Sequence, residues 1–212
     1  MPARRPLSPE LERRRRAARA GHDGDIATAR ALLRDPDPGV RAIALGALAR
    51  LGALDAEELV VAIGDPDRAV RRRALEVAAR SHPDVAEVWV AVLDALADTD
   101  ETVAEVAAFT SGERAEAAPD ARPADLVALL AAVATSHDDA LCREAAVAAL
   151  GAVGDPAGLP AILSATHDKA TVRRRAVISL APFDGPDVDE ALQRARDDRD
   201  WQVRQAAEDL TS

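Results

Sequence analysis

Arginine recurs along this chain at one position of a repeated pattern, in which an acidic turn is followed by an apolar residue and then at once by the arginine. A guanidinium group can bind a carboxylate through two parallel hydrogen bonds, so the pattern can build ion pairs or an anion-binding stripe. One identical residue per unit is what stacking of neighbouring units produces, and we therefore predict a structural ladder. Its predicted members are Asp37, Asp67, Asp100, Asp139 and Asp200 with Arg41, Arg71, Arg143, Arg173 and Arg204. An anion- or substrate-binding stripe remains the alternative interpretation.

Two pairs of additional arginines directly follow a ladder arginine. In a helix, these positions turn away from the core stripe, onto the outward side of the second helix of a unit. We predict that they line a groove about three repeats long, which binds a protein partner, because one-sign clusters steer ligands. These residues are Arg72, Arg73, Arg174 and Arg175. The alternative is a solvated charged surface, partly neutralised by Glu76.

Histidine and cysteine offer little for metal or nucleophilic chemistry. Three His-Asp pairs occur, at His22, His137 and His167. His137 and His167 stand where other units carry a turn aspartate, so we interpret them as turn residues and expect no metal and no cofactor. Cys142 fills an apolar slot and is expected to be a buried side chain instead of a nucleophile. Because no Ser-His-Asp or paired-carboxylate arrangement stands out, we expect no catalytic residue and no enzyme.

The apolar position of this pattern, which we call the apolar slot, recurs six times, at residues 40, 70, 103, 142, 172 and 203. An arginine follows it in every repeat except the third. The spacings are 30, 33, 39, 30 and 31 residues. A near-constant period of this length is typical of a solenoid built from pairs of helices. The second helix of each pair is predicted to begin after the turn aspartate, which can accept hydrogen bonds from first-turn amides. Its core stripe, as in Val40, Ala44 and Leu48, has a small residue in the middle that allows close packing.

The fullest form of the pattern runs from the end of the fourth repeat through the fifth. Residues 149–156 read Ala-Leu-Gly-Ala-Val-Gly-Asp-Pro and are followed by Val172, Arg173 and Ala176. This resembles the HEAT repeats, specifically the HEAT-like repeats named after phycobilisome bilin lyases, over residues 22–210. The resemblance implies an all-α fold, a right-handed α-solenoid of about six helix pairs with its second helices on the concave face. Related families include bilin lyases or isomerases and deoxyhypusine hydroxylase, which holds iron through His-Glu pairs; no His-Glu dipeptide occurs here.

Two regions depart from the repeat. Residues 1–21 are predicted to form an Arg-rich N-terminal capping helix, and residues 22–212 the solenoid. Residues 111–123 are predicted to form a loop insertion, because Gly112 and two prolines disfavour a helix there. Since Ala104 also replaces the ladder arginine, we expect the weakest junction between the third and fourth repeats. The repeats are expected at 22–52, 53–81, 82–112, 124–153, 154–183 and 184–212.

Charge and composition narrow the classes of function. The chain has 212 residues with a net charge of −10, and residues 1–20 alone carry seven arginines and two glutamates. The Arg-rich head leaves nucleic-acid association open as an alternative, but an acidic body lacks the continuous basic track that phosphates need, and we do not expect nucleic acid as the partner. Aromatic residues make up 2% of the chain, with no Tyr, which disfavours an aromatic-lined or tetrapyrrole pocket.

The remaining features of the sequence predict a cellular location and a function. No apolar run reaches the length of a membrane span, so we expect a cytoplasmic protein without a membrane partner. The acidic, Lys-poor composition is typical both of a salt-rich cytoplasm and of a GC-rich genome. We predict a non-catalytic binding scaffold or adaptor that presents a concave helical surface to a protein partner. A HEAT-like enzyme and a nucleic-acid-associated protein remain the alternatives.

Overall fold

The computed structural model describes residues 8–211, and every regular element in that part of the chain is a helix. The first helix, α1 (Pro9–Asp23), precedes six helix pairs. The first helices of the pairs are α2 (Ile26–Leu32), α4 (Ala56–Ile63), α6 (Ala86–Asp94), α8 (Leu126–Ser136), α10 (Leu159–Ala165) and α12 (Pro186–Arg196). The second helices are α3 (Pro38–Arg50), α5 (Arg68–Ala78), α7 (Glu101–Ala117), α9 (Ala140–Val153), α11 (Ala170–Ser179) and α13 (Trp201–Leu210). Short 3₁₀ turns lie at Ala95–Ala97, Pro119–Ala121 and Pro156–Gly158.

Acidic and hydroxyl side chains set where the helices begin. Ser8 accepts a hydrogen bond from the Leu11 amide at 3.2 Å and caps α1, with Pro9 in the first turn. Five of the six second helices begin after an aspartate whose carboxylate accepts a first-turn amide, as predicted. The exception is α11, which begins after Lys169 without a side-chain cap. These caps satisfy amides that a helix cannot satisfy itself.

The second helices form one continuous layer. Starting from α1, each packs against the next one along the chain, and the first helices cover one side of this layer. The alanine in the middle of each core stripe is fully buried in all six units: Ala44, Ala74, Ala107, Ala146, Ala176 and Ala207. This arrangement of stacked helix pairs confirms the predicted all-α solenoid with α1 stacked on its first repeat.

Glycine allows neighbouring second helices to approach closely. A Cβ added to Gly112 of α7 would stand 3.0 Å from the Cα of Ala149 on α9. A Cβ on Gly151 of α9 would stand 2.7 Å from the Cβ of Ser179 on α11. A side chain at either glycine would therefore push two packed helices apart.

The predicted loop at 111–123 is wrong over its first half, because α7 continues to Ala117. Thr110 and Ser111 are buried in this helix, and their hydroxyls donate to the carbonyls of Leu75, at 3.0 Å, and Ala107, at 2.8 Å. The polar residues that disfavour a helix are thus satisfied inside it, and Gly112 serves the close contact with α9. Only residues 118–125 form the connection to α8.

The N-terminal cap is described in part. Helix α1 packs against α2 and α3, which buries Ala17 and Ala20. The predicted capping segment 1–21 also includes Arg4 and Arg5, which lie outside the described residues. None of the helices in residues 8–211 has the length and apolar content needed to cross a membrane.

Candidate functional site

The recurrent arginines form ion pairs that join neighbouring repeats at four of the five junctions. Arg41 donates from Nε and Nη2 to the two carboxylate oxygens of Asp65, at 2.8 and 2.7 Å. Its Nη1 donates to the carbonyl of Asp35 in its own turn, at 2.9 Å. One side chain therefore ties two turns together, with the bidentate geometry that favours arginine over lysine. The same two-oxygen pairing occurs in Arg71–Asp98, Arg143–Asp168 and Arg173–Asp198.

The carboxylate partners differ from those predicted. The arginines bind the first acidic residue of the next turn, as Asp65 shows, and that carboxylate also accepts the amide two residues on. The aspartates predicted as ladder partners, Asp37, Asp67, Asp100, Asp139 and Asp200, are helix N-caps instead. Each of these carboxylates accepts an amide of its own helix, and the ladder arginine binds the earlier acidic residue of the turn. Arg204 donates to the carbonyl of Asp198 in its own turn, at 2.7 Å.

Both members of one rung are replaced at the junction between the third and fourth repeats. Ala104 stands at the arginine position and His137 at the aspartate position. The His137 Nδ1 accepts the Asp139 amide at 3.1 Å, which keeps the turn bond that an aspartate makes elsewhere. Because both charges are absent, neither is left buried without its partner. His167 lies in its turn as predicted, but it is not such a replacement, because Asp168 takes the rung position in that repeat.

Two of the ladder arginines lower the pKa values of their carboxylate partners. Hydrogen bonds from Arg143 and Arg173 hold the pKa values of Asp168 and Asp198 below the ordinary range for aspartate. Asp100 is a cap whose pKa falls to about 2, first because Arg68 donates to it at 2.8 Å. These groups stay ionised near neutral pH and are engaged with each other, so the ladder offers no free acid or base.

Arg114 is a buried arginine outside the ladder, and the sequence patterns did not indicate it. Arg114 of α7 is fully buried and donates to the carbonyls of Ala78, Ser81 and His82 at 2.8 to 3.0 Å. Its guanidinium carbon lies 4.8 Å from the ring centroid of Trp89, and burial lowers the pKa of Arg114 to about 10. The residue clamps the turn between α5 and α6. Only the extension of α7 brings it there, and the sequence reads as a loop at that point.

The outward surface of the second helices, which we call the second-helix face, carries the predicted arginines. Arg72 and Arg73 lie on α5, where Arg73 pairs with Glu76 at 2.9 Å and Arg72 approaches it to 3.7 Å. They line a surface cavity of about 450 Å³ that we call the arginine cavity. Its third arginine, Arg50 of α3, was missed because it follows no second basic residue. The floor of the cavity is formed by small or apolar residues, among them Ala18, Ala42, Ile43, Gly46 and Ala69.

The other two predicted arginines lie elsewhere on this face. Arg174 of α11 lines a separate cavity of about 340 Å³ with Ile178 and Trp201, and Trp201 is 64% exposed. Arg175 lies 3.6 Å from Glu144 of α9. The four arginines therefore do not line one basic groove, because the faces of α7 and α9 separate the two pairs.

The intervening part of the second-helix face is acidic and apolar. Glu105, Phe109 and Glu113 follow one another at intervals of four residues along α7, so they share one side of the helix. Phe109 is 55% exposed, and neither glutamate forms an ion pair with any residue in the described part of the chain. Phe109 stands six residues past the apolar slot of its repeat, where α5 carries the exposed Glu76, so this residue could have been found from the repeat.

Metal and thiol chemistry find no support in the geometry. Within residues 8–211, no group of three or more His, Cys, Asp and Glu side chains converges as a metal site would. Cys142 is buried, its Sγ donates to the Glu101 carbonyl at 3.2 Å, and burial raises the pKa of its thiol to about 12. A thiol of that pKa is not a nucleophile near neutral pH.

A larger cavity, of about 650 Å³, lies on the opposite side between α2 and α4. Arg30 bridges it, donating to Glu58 at 2.7 Å and to the Ala53 carbonyl at 2.5 Å. Arg41 and Asp65 of the ladder form part of its wall. Three arginines and four carboxylates line it, and most of these charges are engaged with each other, so the cavity offers no positive excess to an anionic ligand.

Comparison with known proteins places this geometry among repeat proteins. A family model described as HEAT repeats matches residues 87–181 and 127–210, which together cover more than half of the chain. No curated protein sequence matches the chain.

Solved structures resemble the chain along nearly all of its length. The Escherichia coli protein YibA aligns with a TM-score of 0.67 at 19% identity, over 97% of this chain and 75% of YibA. A designed armadillo repeat protein in complex with the peptide (KR)4 aligns with a TM-score of 0.58 at 15% identity, over 96% of this chain and 98% of that protein. An engineered protein aligns with a TM-score of 0.61 at 20% identity, over 88% and 94% of the two chains. At these identities the likeness shows the fold alone.

Proposed function

Because this chain belongs to the HEAT-repeat family, we propose that it is a non-catalytic binding scaffold that presents its second-helix face to a protein partner. The observation that carries the proposal is the division of charge within each repeat. Ladder arginines are engaged in ion pairs between repeats, whereas Arg50, Arg72 and Arg174 point outward beside exposed apolar residues. The first set stabilises the stack, and the second set remains available for recognition.

Exposed aromatic residues support the same surface. Of the four aromatic residues in the chain, Phe109 and Trp201 are more than half exposed, and both lie on second helices. Large aromatic side chains are enriched at protein interfaces because they bury much area at little entropic cost. A surface that combines them with charged groups matches the composition of a protein-binding site.

One structural relative gives a precedent for the mode of binding. The designed armadillo repeat protein described above holds a (KR)4 peptide. A stack of helical repeats can therefore bind a peptide, and we propose the same general use of the fold here. We also propose that the protein works in the cytoplasm and that it needs neither metal nor cofactor.

Affinity capture tests the proposal. Wild-type protein is used as bait in a lysate of the source cell, beside a quadruple variant in which Arg72, Arg73, Arg174 and Arg175 become Glu. The control is Arg34→Glu/Arg199→Glu, which reverses half as many charges, at arginines that are exposed in turns and form no ion pair within the described residues. Metal analysis of the purified bait accompanies the capture.

We expect a partner that the wild type and the control retain and the quadruple variant loses. Exposed charges rarely change stability by more than about 0.5 kcal/mol, so all three baits should melt at similar temperatures. Equal capture by the quadruple variant would remove these arginines from the interface. Stoichiometric iron in the bait would overturn the non-catalytic, metal-free scaffold.

A further inference from the structure

We propose that the arginine cavity binds an acidic segment with small side chains in a partner protein. The inference rests on the proposed function and deepens it, because it specifies which kind of partner segment binds the second-helix face at α3 and α5. Three arginines surround the cavity, and Glu76 is the one carboxylate in its lining. Its positive excess is the largest among the cavities of the second-helix face described above.

The charges around the cavity are not balanced by their neighbours. Arg72 and Arg73 share the single carboxylate of Glu76, and the longer of the two approaches is 3.7 Å. Arg50 forms no ion pair with any residue in the described part of the chain. Two positive charges are therefore left without a carboxylate partner. An anionic group entering the cavity would form the charge-assisted hydrogen bonds that the protein itself does not supply.

The floor sets the size of what can enter. Gly46 has no side chain, and a Cβ added to it would stand only 2.7 Å from the Nη2 of Arg73. The Nη2 of Arg50 lies similarly over Gly21, at 2.6 Å. The guanidinium groups of Arg73 and Arg50 thus lie against the helices at these glycines, and Ala42 and Ala69 also line the cavity. A ligand with small side chains can lie close to this floor, and bulky side chains would hold its carboxylates away from the arginines.

The surroundings favour an acidic protein segment over nucleic acid. The next second helix, α7, presents Glu105 and Glu113 on the same face. A phosphate backbone needs a continuous basic track, and it would meet these carboxylates one helix beyond the cavity. A short acidic peptide can end before these glutamates, or carry residues of a different charge beside them. Charge complementarity therefore selects a protein segment whose acidic part occupies the cavity.

A peptide titration tests the inference. Fluorescence anisotropy is measured with three labelled probes: the peptide (Glu-Ala)4, the peptide (Lys-Ala)4 and an eight-nucleotide thymidine strand. The protein variants are wild type, Arg72→Glu/Arg73→Glu and Arg174→Glu/Arg175→Glu, which change the net charge equally. Gly46→Ala is added because it keeps every charge and displaces the Arg73 guanidinium from the floor.

We expect saturable binding of (Glu-Ala)4 that weakens as salt shortens the Debye length below about 10 Å. Arg72→Glu/Arg73→Glu should weaken it by about tenfold or more, as expected when cations at a charged contact are reversed. Arg174→Glu/Arg175→Glu should leave it within about twofold, because those residues lie in another cavity. Gly46→Ala should weaken binding without lowering the melting temperature, since Ala suits a helix better than Gly.

Several results would overturn the inference. Equal or tighter binding of (Lys-Ala)4 or of the thymidine strand would contradict an acidic protein ligand. Equal losses in the two double variants would mean that net charge alone attracts the peptide. If (Glu-Ala)4 fails to bind while capture of a partner still depends on the four arginines, this inference falls and the proposed function stands. If (Glu-Ala)4 binds in the cavity but capture ignores the arginines, the proposed function fails instead.

Discussion

At the scale of single residues, the same amino acid does two different things according to its place in the repeat. Arg143, directly after the apolar slot, joins two turns by donating to both carboxylate oxygens of Asp168, at 2.6 and 2.8 Å. Arg174 lies on an equivalent second helix but points to the outward surface. A rotation of 100° per residue in a helix is enough to convert a structural ion pair into an available charge.

Substituting Arg143 with Gln should move one pKa and leave another in place. The hydrogen bond from Arg143 lowers the pKa of Asp168, so its loss should raise that pKa toward the ordinary value of about 3.9. Asp198 is the internal control, because its partner Arg173 is untouched. Carboxyl carbon NMR during an acid titration measures both groups, and a joint shift of the two would contradict independent rungs.

The same substitution has a predicted dependence on pH. A depressed native pKa stabilises the fold above the pKa of the unfolded chain, and this contribution disappears as pH falls through the native pKa. The difference in unfolding free energy between wild type and Arg143→Gln should therefore be largest near neutral pH and shrink below about pH 4. Urea unfolding at several pH values checks the direction, and a difference that grows in acid would contradict it.

At the scale of helices, packing decides where the sequence pattern fails. The run Thr110-Ser111-Gly112 has poor helix propensity, yet α7 extends through it. Both hydroxyls donate to helix carbonyls, and Gly112 allows α9 to come close. The packing of α7 against α9 is the most extensive between two helices in the described part of the chain. Tertiary contact therefore overrides local propensity at the junction where the ladder is absent.

Two glycines at the centres of second helices should respond oppositely to the same substitution. Gly112→Ala places a Cβ 3.0 Å from the Cα of Ala149, which cannot move without shifting α9, and should lower stability by about 1 kcal/mol. Gly46→Ala meets the end of the flexible Arg73 side chain and should raise stability through better helix propensity. Denaturant unfolding measures both, and stabilisation by Gly112→Ala would show that the helices are not in close contact there.

A larger side chain at the core stripe of α9 should also be costly. Ala146 is fully buried, and Ala146→Leu should overpack the layer and cost about 1–3 kcal/mol. The matched control is Ala152→Leu, an exposed position on the same helix, which should change stability by less than about 0.5 kcal/mol. Equal melting midpoints for the two variants would place Ala146 outside the core.

At the scale of the whole molecule, the repeat predicts most of the fold and little of the site. The period of Val40 and its equivalents gives the number of helix pairs, and the aspartates give the starts of most second helices. The acceptor in each rung could not be chosen between two acidic residues in one turn, since only geometry separates Asp65 from Asp67. Arg50 of α3 and Arg73 of α5 line the same arginine cavity, and no spacing in the sequence indicates that they lie near each other.

The junction between the third and fourth repeats should not divide the molecule. The long α7 packs on α9 without an ion pair, so we expect residues on both sides of the junction to unfold in one transition. Native-state hydrogen exchange should show similar protection in α7 and α9, with fast exchange confined to 118–125. Separate exchange free energies for the two halves of the chain would instead support the weak junction that the sequence predicts.

Hydroxyl-radical footprinting of the complex shows whether the second-helix face contacts the partner. Phe109 and Trp201 are exposed on this face, whereas Val61 and Val90 are exposed on the first helices. With the captured partner bound at saturation, we predict that oxidation of Phe109 or Trp201 falls severalfold and that oxidation of Val61 and Val90 is unchanged. Protection of Val61 and Val90, with Phe109 and Trp201 oxidised as in the free protein, would contradict the account.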